Sequence, residues 1–297
     1  MLKPFLAGGA LLLASACAPP SSNDSDPAGN TAVDTAKIDA ILAALPEDEK
    51  ARIQYRNPIE TIDFFGITPG MDVVDTMPGD VWYSGILARY LGADGHVIGA
   101  DRPLSVWESF GAEYSPPQFL ANRPNWTREW PKRRAAEFSD EQAAAFDAVA
   151  FGDVPATFDQ SADAILVMRE FHNIMAADPT DQLAVSVLGE MHRMLRPGGV
   201  LGIVQHRAPE SADNAWANGA NGYVKQSRLI ALVERAGFTF EASSEINANP
   251  ADQPGTDEYV WRLPPDLLGS EEDPELRQKM REIGESDRMT LRFRKAS

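Results

Sequence analysis

Two acidic residues end neighbouring strands of a predicted α/β unit, and their spacing indicates a nucleoside site. Asp75 closes a short apolar run, and Asp101 closes the next one, after a turn at Pro78-Gly79 and an apolar helical stretch. Ligands bind at the carboxyl ends of strands in open α/β sheets, and an acid ending the second strand can accept hydrogen bonds from both ribose hydroxyls. The unit at 71–101 therefore predicts a site for a nucleoside-type cofactor.

Two of the four histidines also follow predicted strands. His172 comes after the strand at 164–168, and His206 after the strand at 200–204. A histidine with a pKa of about 6.5 suits a proton acceptor at neutral pH. Each ring can instead be a polar group bonded to backbone at a loop entry. Glu170 can be the base or fix the tautomer of the histidine, or be an exposed loop carboxylate.

Arginines and aromatic residues next to these strand ends are further candidates for binding. Arg169 and Arg207 can clamp an anionic substrate through paired hydrogen bonds, or pair with one of the many acids. Trp82 and Tyr83, at the start of a helix, can stack on an adenine or a substrate ring, or pack in the core. The histidines have no i, i+4 spacing and the chain has one cysteine, so the sequence predicts no metal site.

The elements that must position these residues alternate between helix and strand. This alternation predicts an α/β fold with a mostly parallel sheet and one late antiparallel strand. The segment after Asp101, with Trp107 and Trp126, has no clear pattern. Predicted helices cover 35–45, 58–65, 141–148, 183–195 and 227–236, and predicted strands cover 73–75, 97–101, 149–151, 164–168, 200–204, 238–240 and 289–293.

Composition excludes one class of partner. The 297 residues carry a formal net charge of −17, spread along the chain, and such a surface repels phosphate backbones and anionic lipid headgroups. We therefore expect no nucleic acid partner.

The first residues have the pattern of an export signal. A short positive region, an apolar run and small residues precede Cys17, the only cysteine of the chain. This pattern predicts a signal peptide at 1–17 with lipidation of Cys17, as in a bacterial lipobox, and an exported, periplasmic lipoprotein whose only membrane contact is its lipid. Plain secretion with cleavage after Ala16 is the alternative. Residues 18–36 are predicted to be a flexible tether, followed by one domain at 37–297.

Several motifs resemble a known family. The run Met194 to Leu201, with its Arg-Pro-Gly-Gly turn, resembles the helix-to-fifth-strand signature of class I S-adenosylmethionine-dependent methyltransferases. A narrower resemblance, to exported proteins described only as predicted methyltransferases, is carried by Tyr55-Arg56-Asn57-Pro58, Phe64-Phe65-Gly66, Pro78-Gly79 with Trp82-Tyr83, Phe171-His172-Asn173 and His206-Arg207-Ala208.

The resemblance implies a Rossmann-like seven-stranded sheet with helices on both faces and S-adenosylmethionine as cofactor. It places Asp75 and the loop at 76–81 around the methionine part of the cofactor and Asp101 on the ribose. The cofactor-binding residues then predicted are Asp75, Met77, Pro78, Gly79, Trp82, Asp101 and Arg169, and the catalytic ones are His172, His206 and Glu170.

The first loop departs from the family pattern. The family carries three alternate glycines after the acid, and the matching residues here are Met77, Gly79 and Val81. Glycine serves there because the backbone must approach the ligand without an intervening Cβ. Two of the three glycines are thus replaced.

Three functions fit these observations. The first is a methyltransferase acting on an unknown small molecule. The second is an exported, non-catalytic ligand-binding protein with a degenerate methyltransferase fold. The third is a nicotinamide-dependent oxidoreductase, because Rossmann sheets share the acid on the second strand; the turn at 196–199 and the late strand at 289–293 argue against it.

Overall fold

A computed structural model of the protein describes residues 33–79, 81–139 and 142–297. The predicted signal peptide, Cys17 and residues 18–32 of the predicted tether lie outside these residues. The first helix begins at Thr35, two residues before the predicted domain boundary. In the part of the chain that is described, no helix is long and apolar enough to cross a membrane.

Helices and strands alternate along the described chain. The strands are β1 (Asp72–Thr76), β2 (His96–Asp101), β3 (Ala145–Ala150), β4 (Ala162–Met168), β5 (Leu195–Ala208), β6 (Val224–Lys225), β7 (Phe238–Ser244) and β8 (Arg288–Lys295). The α-helices are α1 (Thr35–Ala43), α2 (Glu47–Lys50), α3 (Ile53–Arg56), α4 (Pro58–Phe65), α5 (Trp82–Leu91), α6 (Leu104–Ser109), α7 (Gly111–Tyr114), α8 (Pro117–Asn122), α9 (Trp126–Glu137), α10 (Phe171–Ala177), α11 (Gln182–Met194), α12 (Gln226–Arg235) and α13 (Pro274–Ile283). Short 3-10 helices cover Arg123–Asn125, Ala156–Phe158 and Val260–Arg262.

Seven strands form one sheet in the order β3-β2-β1-β4-β5-β8-β7, and the two-residue β6 pairs with the end of β5. Strands β1 to β5 run parallel, whereas β8 is antiparallel to β5 and to β7. The predicted mostly parallel, Rossmann-like sheet with a late antiparallel strand is confirmed. From β1 the chain crosses to β2 on one side, and β4 continues to β5 on the other. The carboxyl ends of β1 and β4 therefore flank the topological switch point, where open α/β sheets bind ligands.

Both faces of the sheet are buried, as parallel strands require. In β1, Val73 packs into the core that contains α1, α4 and α5, while Val74 packs into the core that contains α10, α11 and α12. Leu166 and Val167 of β4 divide between the same two cores. This two-residue alternation places consecutive side chains on opposite faces and holds the strand ends in register.

One predicted helix is wrong. Residues 141–148 were expected to be helical from their alanine content, but β3 occupies Ala145–Ala150 and pairs with the whole of β2. Helix propensity is a weak preference that tertiary pairing overrides. Phe146 and Ala148 alternate towards the core while Ala145 and Asp147 are exposed, which is a strand pattern.

The segment without a clear pattern forms the helices α6 to α9 between β2 and β3. Trp130 of α9 packs directly over Gly99 of β2, where an added Cβ would lie 2.9 Å from the indole ring. Glycine at this position therefore allows the helix to approach the sheet closely. The packing of α9 holds the residues of this segment against the carboxyl end of β2.

Candidate active site

The larger of the two cavities described opens at the switch point. It has a volume of about 1040 Å³ and is lined by the loop after β1 and by residues that follow β4 and β5. It also reaches the segments at 260–268 and 285–286. Small-molecule sites enclose a few hundred to about 1,000 Å³, so this cavity can hold a cofactor and a substrate together.

The loop after β1 keeps an unusual backbone. Met77, Gly79 and Val81 all lie in the left-handed region, with φ angles of 49°, 46° and 57°. Glycine adopts this region freely, but for a β-branched residue such as valine it is a strained conformation. The Met77 N–H donates to the Ala100 carbonyl at 2.6 Å, which ties the loop to the end of β2. The backbone form expected of a glycine loop is thus present at all three positions, although two are not glycine.

The predicted residues on this loop are divided between cavity and core. Asp75, Met77, Pro78 and Gly79 line the large cavity, and the Asp75 carboxylate accepts a hydrogen bond of 2.5 Å from Ser84 Oγ. Trp82 lines neither of the two cavities described here. It is buried against Tyr83, with ring centroids 4.9 Å apart, so the structure places it in the core.

Asp101 is at the predicted strand end, but its carboxylate is already bound by the protein. Arg123 makes two hydrogen bonds to it, of 2.5 and 2.6 Å. The Trp107 indole N–H lies 3.2 Å from the same carboxylate, and the side chain is only 4% exposed. Asp101, Arg123 and Trp107 line a second cavity of about 350 Å³, which shares Met77 and Gly79 with the first. A ribose can reach the Asp101 oxygens only where Arg123 withdraws.

Trp107 connects the two cavities. The guanidinium groups of Arg102 and Arg123 each lie 4.3 Å from its ring centroid. Arg102 also donates to Glu170 at 2.6 Å, and the amide of Asn173 donates to the same carboxylate at 2.8 Å. Glu170, predicted as a base, thus lines the cavity within a salt bridge to Arg102.

The two candidate histidines lie side by side. The ring centroids of His172 and His206 are 5.4 Å apart, and both residues line the large cavity. The Nδ1 atom of His206 is 2.6 Å from Ser286 Oγ. His172 Nδ1 is 3.2 Å from the amide nitrogen of Gln205, not from Glu170. The structure therefore brings together the strand ends of β4 and β5 as expected, with Gln205 as the partner of the His172 ring.

Both histidines are held neutral. The pKa of His172 is lowered from 6.5 to about 4, chiefly by burial; the hydrogen bond with Gln205 raises it, and the positive charges of Arg102 and Arg169 lower it. Burial also holds the pKa of His206 well below its usual value, together with the neighbouring His172 and nearby arginines. At neutral pH each ring has one nitrogen without a proton.

A buried carboxylate next to His206 is shared by three arginines. Arg288 Nη1 donates to Glu285 at 3.0 Å and Arg56 Nε at 3.2 Å. Arg169 Nη1 is farther away, at 3.7 Å from the same carboxylate. Arg169 follows β4 with a left-handed φ of 65° and lines the cavity with Glu285. Arg169 therefore lies on the histidine side of the cavity.

Arg207, the other candidate clamp, is engaged outside the cavity. It donates to Asp287 at 2.8 Å and to Glu245 at 2.7 and 2.8 Å, and it is not among the residues that line either cavity described here. In the described residues no cluster of three or more histidine, cysteine, aspartate or glutamate side chains could hold a metal ion.

Comparison with known proteins gives likeness in fold only. No family model and no curated protein matches the chain. Among solved structures, it is similar to the [4+2]-cyclase SpnF (TM-score 0.49, 15% identity, 81% of this chain and 80% of that one). It is also similar to a SAM-dependent methyltransferase from Aquifex aeolicus (TM-score 0.46, 17% identity, 72% of this chain and 93% of that one). A third similar structure is an arsenic(III) S-adenosylmethionine methyltransferase from Chlamydomonas reinhardtii (TM-score 0.46, 17% identity, 88% of this chain and 73% of that one). The function proposed below therefore rests on the residues of this chain.

Three important residues were not predicted from the sequence. Arg123 lies in the segment without a clear pattern, Gln205 is the last residue before His206, and Glu285 follows α13. Only Gln205 carries a sequence signal, because a polar residue at the end of an apolar strand faces the buried edge of the sheet. The other two are brought to the site by long-range packing.

Proposed function

We propose that this protein is an S-adenosylmethionine-dependent methyltransferase acting on a small molecule. One observation carries the proposal: the loop after β1 holds Met77, Gly79 and Val81 in left-handed conformations at the switch point. Strained backbone persists where the surroundings enforce it, and it concentrates at ligand sites. Retention of this backbone form, with glycine at only one of the three positions, supports a loop that still serves a ligand.

The residues present fit the cofactor. The left-handed loop and Asp75 would hold its methionine part, and Asp101 its ribose once Arg123 withdraws. When bound, S-adenosylmethionine supplies a methyl group activated on a sulfonium. Transfer is an in-line displacement, so the main task of the protein is to hold the acceptor close and aligned.

His206 is the residue we assign to the acceptor's proton. Its Nδ1 is engaged by Ser286 Oγ at 2.6 Å, which leaves Nε2 for the proton of the acceptor. The lowered pKa keeps the ring neutral, so Nε2 can accept when Ser286 Oγ accepts from Nδ1–H. Glu170 is held by Arg102 and Asn173, and we give it the role of positioning Arg102 at the cavity wall.

The test is a binding comparison on residues 33–297. We expect S-adenosylmethionine and S-adenosylhomocysteine to release heat on binding and raise the melting temperature, and NAD to do neither. At about 100 times the dissociation constant, a ligand adds about 2.7 kcal/mol to the unfolding free energy. Asp101→Asn should abolish the shift. Absence of binding by both sulfur compounds at millimolar concentration would refute the proposal, and binding of NAD would favour the oxidoreductase.

Export and lipidation are part of the same proposal. The support is the pattern at 1–17 with Cys17 after the cleavage site. In a bacterial host, the full chain should incorporate labelled palmitate and fractionate with membranes, and Cys17→Ser should do neither. A secreted, unlabelled wild-type protein would instead indicate cleavage after Ala16.

A further inference from the structure

The hydrogen bonds around Gln205 fix the tautomer of His172. The Gln205 side chain is fully buried; its Oε1 accepts from the His172 backbone N–H at 3.2 Å and its amide nitrogen donates to the Gly222 carbonyl at 3.0 Å. The remaining amide hydrogen faces His172 Nδ1 at 3.2 Å. Nδ1 must then be the acceptor, and in a neutral imidazole the proton lies on the other nitrogen. His172 therefore carries its proton on Nε2.

This Nε2–H has no partner among the described residues. The His172 side chain is 3% exposed, and Nε2 is buried without a hydrogen bond. A buried donor without an acceptor costs about 1–3 kcal/mol, so such atoms call for an explanation. The ring lines the large cavity, and a ligand atom that accepts a hydrogen bond would satisfy it.

Arg169 supplies a second donor in the same region. Within the described chain, no group accepts a hydrogen bond from its guanidinium; its one ion pair is the 3.7 Å approach to Glu285. Arg288 and Arg56 already hold that carboxylate at 3.0 and 3.2 Å. The left-handed backbone of Arg169, fixed by an N–H bond of 2.6 Å to the Val204 carbonyl, is a strained conformation at the switch point.

We propose that the substrate carries an oxyanion, such as a carboxylate, that is bound between the Arg169 guanidinium and the Nε2–H of His172. This inference rests on the proposed function, because it takes the bound anion to be the substrate of that enzyme. It assigns Arg169 to the substrate, whereas the sequence analysis assigned it to the cofactor. A guanidinium matches a carboxylate through two parallel hydrogen bonds. Aromatic residues also line the cavity, among them Tyr83, Phe110 and Trp261, and they favour a flat apolar body attached to that group.

The acids that line the cavity leave room for such an anion. Asp75 is bound by Ser84, and Glu170 and Glu285 are held in the salt bridges described above. Asp266 also lines the cavity, where burial raises its pKa and the charge of Arg169 lowers it. Near Arg169, burial lowers the pKa of Arg288 in spite of its contact with Glu285, and the charge of Arg169 contributes to that lowering. Around Arg169, the guanidinium groups of Arg56, Arg169 and Arg288 outnumber the Glu285 and Asp266 carboxylates, and this excess of positive charge favours a negative group.

The first experiment determines the tautomer in the wild-type protein without any ligand. The chain has four histidines, so long-range proton–nitrogen NMR spectra can be assigned with a single His172→Gln variant. We expect the His172 ring to show a protonated Nε2 and an unprotonated Nδ1. Gln205→Glu replaces the facing donor by a carboxylate oxygen, so the proton should move to Nδ1. A wild-type ring protonated on Nδ1 would overturn the inference.

The second experiment uses benzoate as the probe and benzamide as its uncharged counterpart. We expect benzoate to shift the His172 Nε2–H resonance and to bind about tenfold or more tightly than benzamide. Arg169→Gln should remove this preference, and Arg169→Lys should restore part of it. Arg207→Gln is the matched control, since its guanidinium is bound to Asp287 and Glu245 outside the cavity, and it should change neither affinity.

S-adenosylhomocysteine separates the two sources of a carboxylate. We expect Arg169→Gln to leave its affinity unchanged, and benzoate and S-adenosylhomocysteine to bind together. Competition between them, or a loss of S-adenosylhomocysteine affinity in Arg169→Gln, would assign the anion to the cofactor and overturn the substrate site. Equal binding of benzoate and benzamide would also overturn it. Benzoate binding with no binding of S-adenosylhomocysteine would support the oxyanion site and contradict the methyltransferase proposal.

Discussion

Arg123→Gln tests whether the ion pair on Asp101 controls access to the nucleoside part of the site. In the described structure the Asp101 carboxylate accepts two hydrogen bonds from Arg123, and its side chain is 4% exposed while that of Arg123 is 18% exposed. A ribose that binds the same oxygens must displace this guanidinium. The substitution removes the competitor, so binding of S-adenosylhomocysteine should become stronger.

The magnitude follows from the burial of the pair. Removing one partner of a buried ion pair costs about 3–5 kcal/mol. Here the Arg102 backbone N–H and the Trp107 indole still donate to Asp101, at 2.9 and 3.2 Å, so we expect the lower end, about 3 kcal/mol of unfolding free energy. The gain in affinity is smaller, because the displaced guanidinium regains water; about 1.4 to 2.8 kcal/mol corresponds to a tenfold to hundredfold lower dissociation constant.

Two measurements read the two effects separately. Thermal unfolding without ligand should show a melting temperature lower by about 6 °C or more, and titration calorimetry should show tighter binding of S-adenosylhomocysteine. Arg196→Gln is the matched control: it breaks pairs to Asp72 and Asp163 at the opposite end of the sheet, so it should leave affinity unchanged.

One outcome would refute this reasoning. If Arg123→Gln bound S-adenosylhomocysteine more weakly than the wild type, Arg123 would be part of the ligand site, and the ion pair would be a feature of the bound state. Asp101→Asn removes the ribose acceptor and should abolish the melting-temperature shift in both cases, so it tests whether the Asp101 carboxylate binds the ligand at all.

Three further predictions concern stability. The pKa of His172 in the folded protein is lowered to about 4, so the unfolded chain takes up a proton on this residue first as the pH falls. The unfolding free energy should therefore decrease by about 3 kcal/mol between pH ~6.5 and ~4. His172→Gln should show a smaller decrease in denaturant titrations over that range. Gly219→Ala should destabilise by about 3 kcal/mol or more, because its Cβ would lie 2.5 Å from the His172 carbonyl, whereas Gly189→Ala in α11 should stabilise by up to about 1 kcal/mol. Val81→Gly should have an unfolding free energy within about 1 kcal/mol of the wild type, because relief of backbone strain offsets the lost packing. Val97→Gly in β2, which relieves no strain, should lower it by about 3 kcal/mol. If Val81→Gly lowered it as much as Val97→Gly, the backbone at Val81 would not be strained.

The sheet could be predicted because its signals are local. The strand at 164–168 is a continuous apolar run, and α11 ends at Met194, just before the Arg-Pro-Gly-Gly residues that open β5. α4 runs from Pro58 to Phe65 and ends at Gly66 in the left-handed conformation, as its capping residues predicted. Such features depend on a few neighbouring residues and survive without knowledge of the rest of the fold.

The site could be predicted only in part, because its decisive contacts are long-range. The placement of His172 beside His206 followed from two strand ends that share one edge of the sheet. The ion pair of Asp101 with Arg123 joins residues 22 apart, and the pair of Arg56 with Glu285 joins residues 229 apart. No local pattern distinguishes these arginines from others in a chain rich in acids, so only the folded structure identifies their partners.

The loop after β1 shows why missing glycines do not imply a missing loop. A left-handed residue other than glycine costs about 1–3 kcal/mol and persists only where its surroundings determine the backbone. Here the Met77 N–H is bound to the Ala100 carbonyl, and the Val81 N–H to the Pro78 carbonyl, both at 2.6 Å. The first of these bonds joins the loop to β2. The sheet therefore holds Met77 in a conformation that glycine would adopt without such a bond. A sequence pattern records which residues adopt a conformation easily, whereas the structure records which conformation the fold enforces. The loop can therefore keep its left-handed backbone while the acid on the next strand is held by Arg123, and the two parts of the proposed cofactor site are open to separate tests.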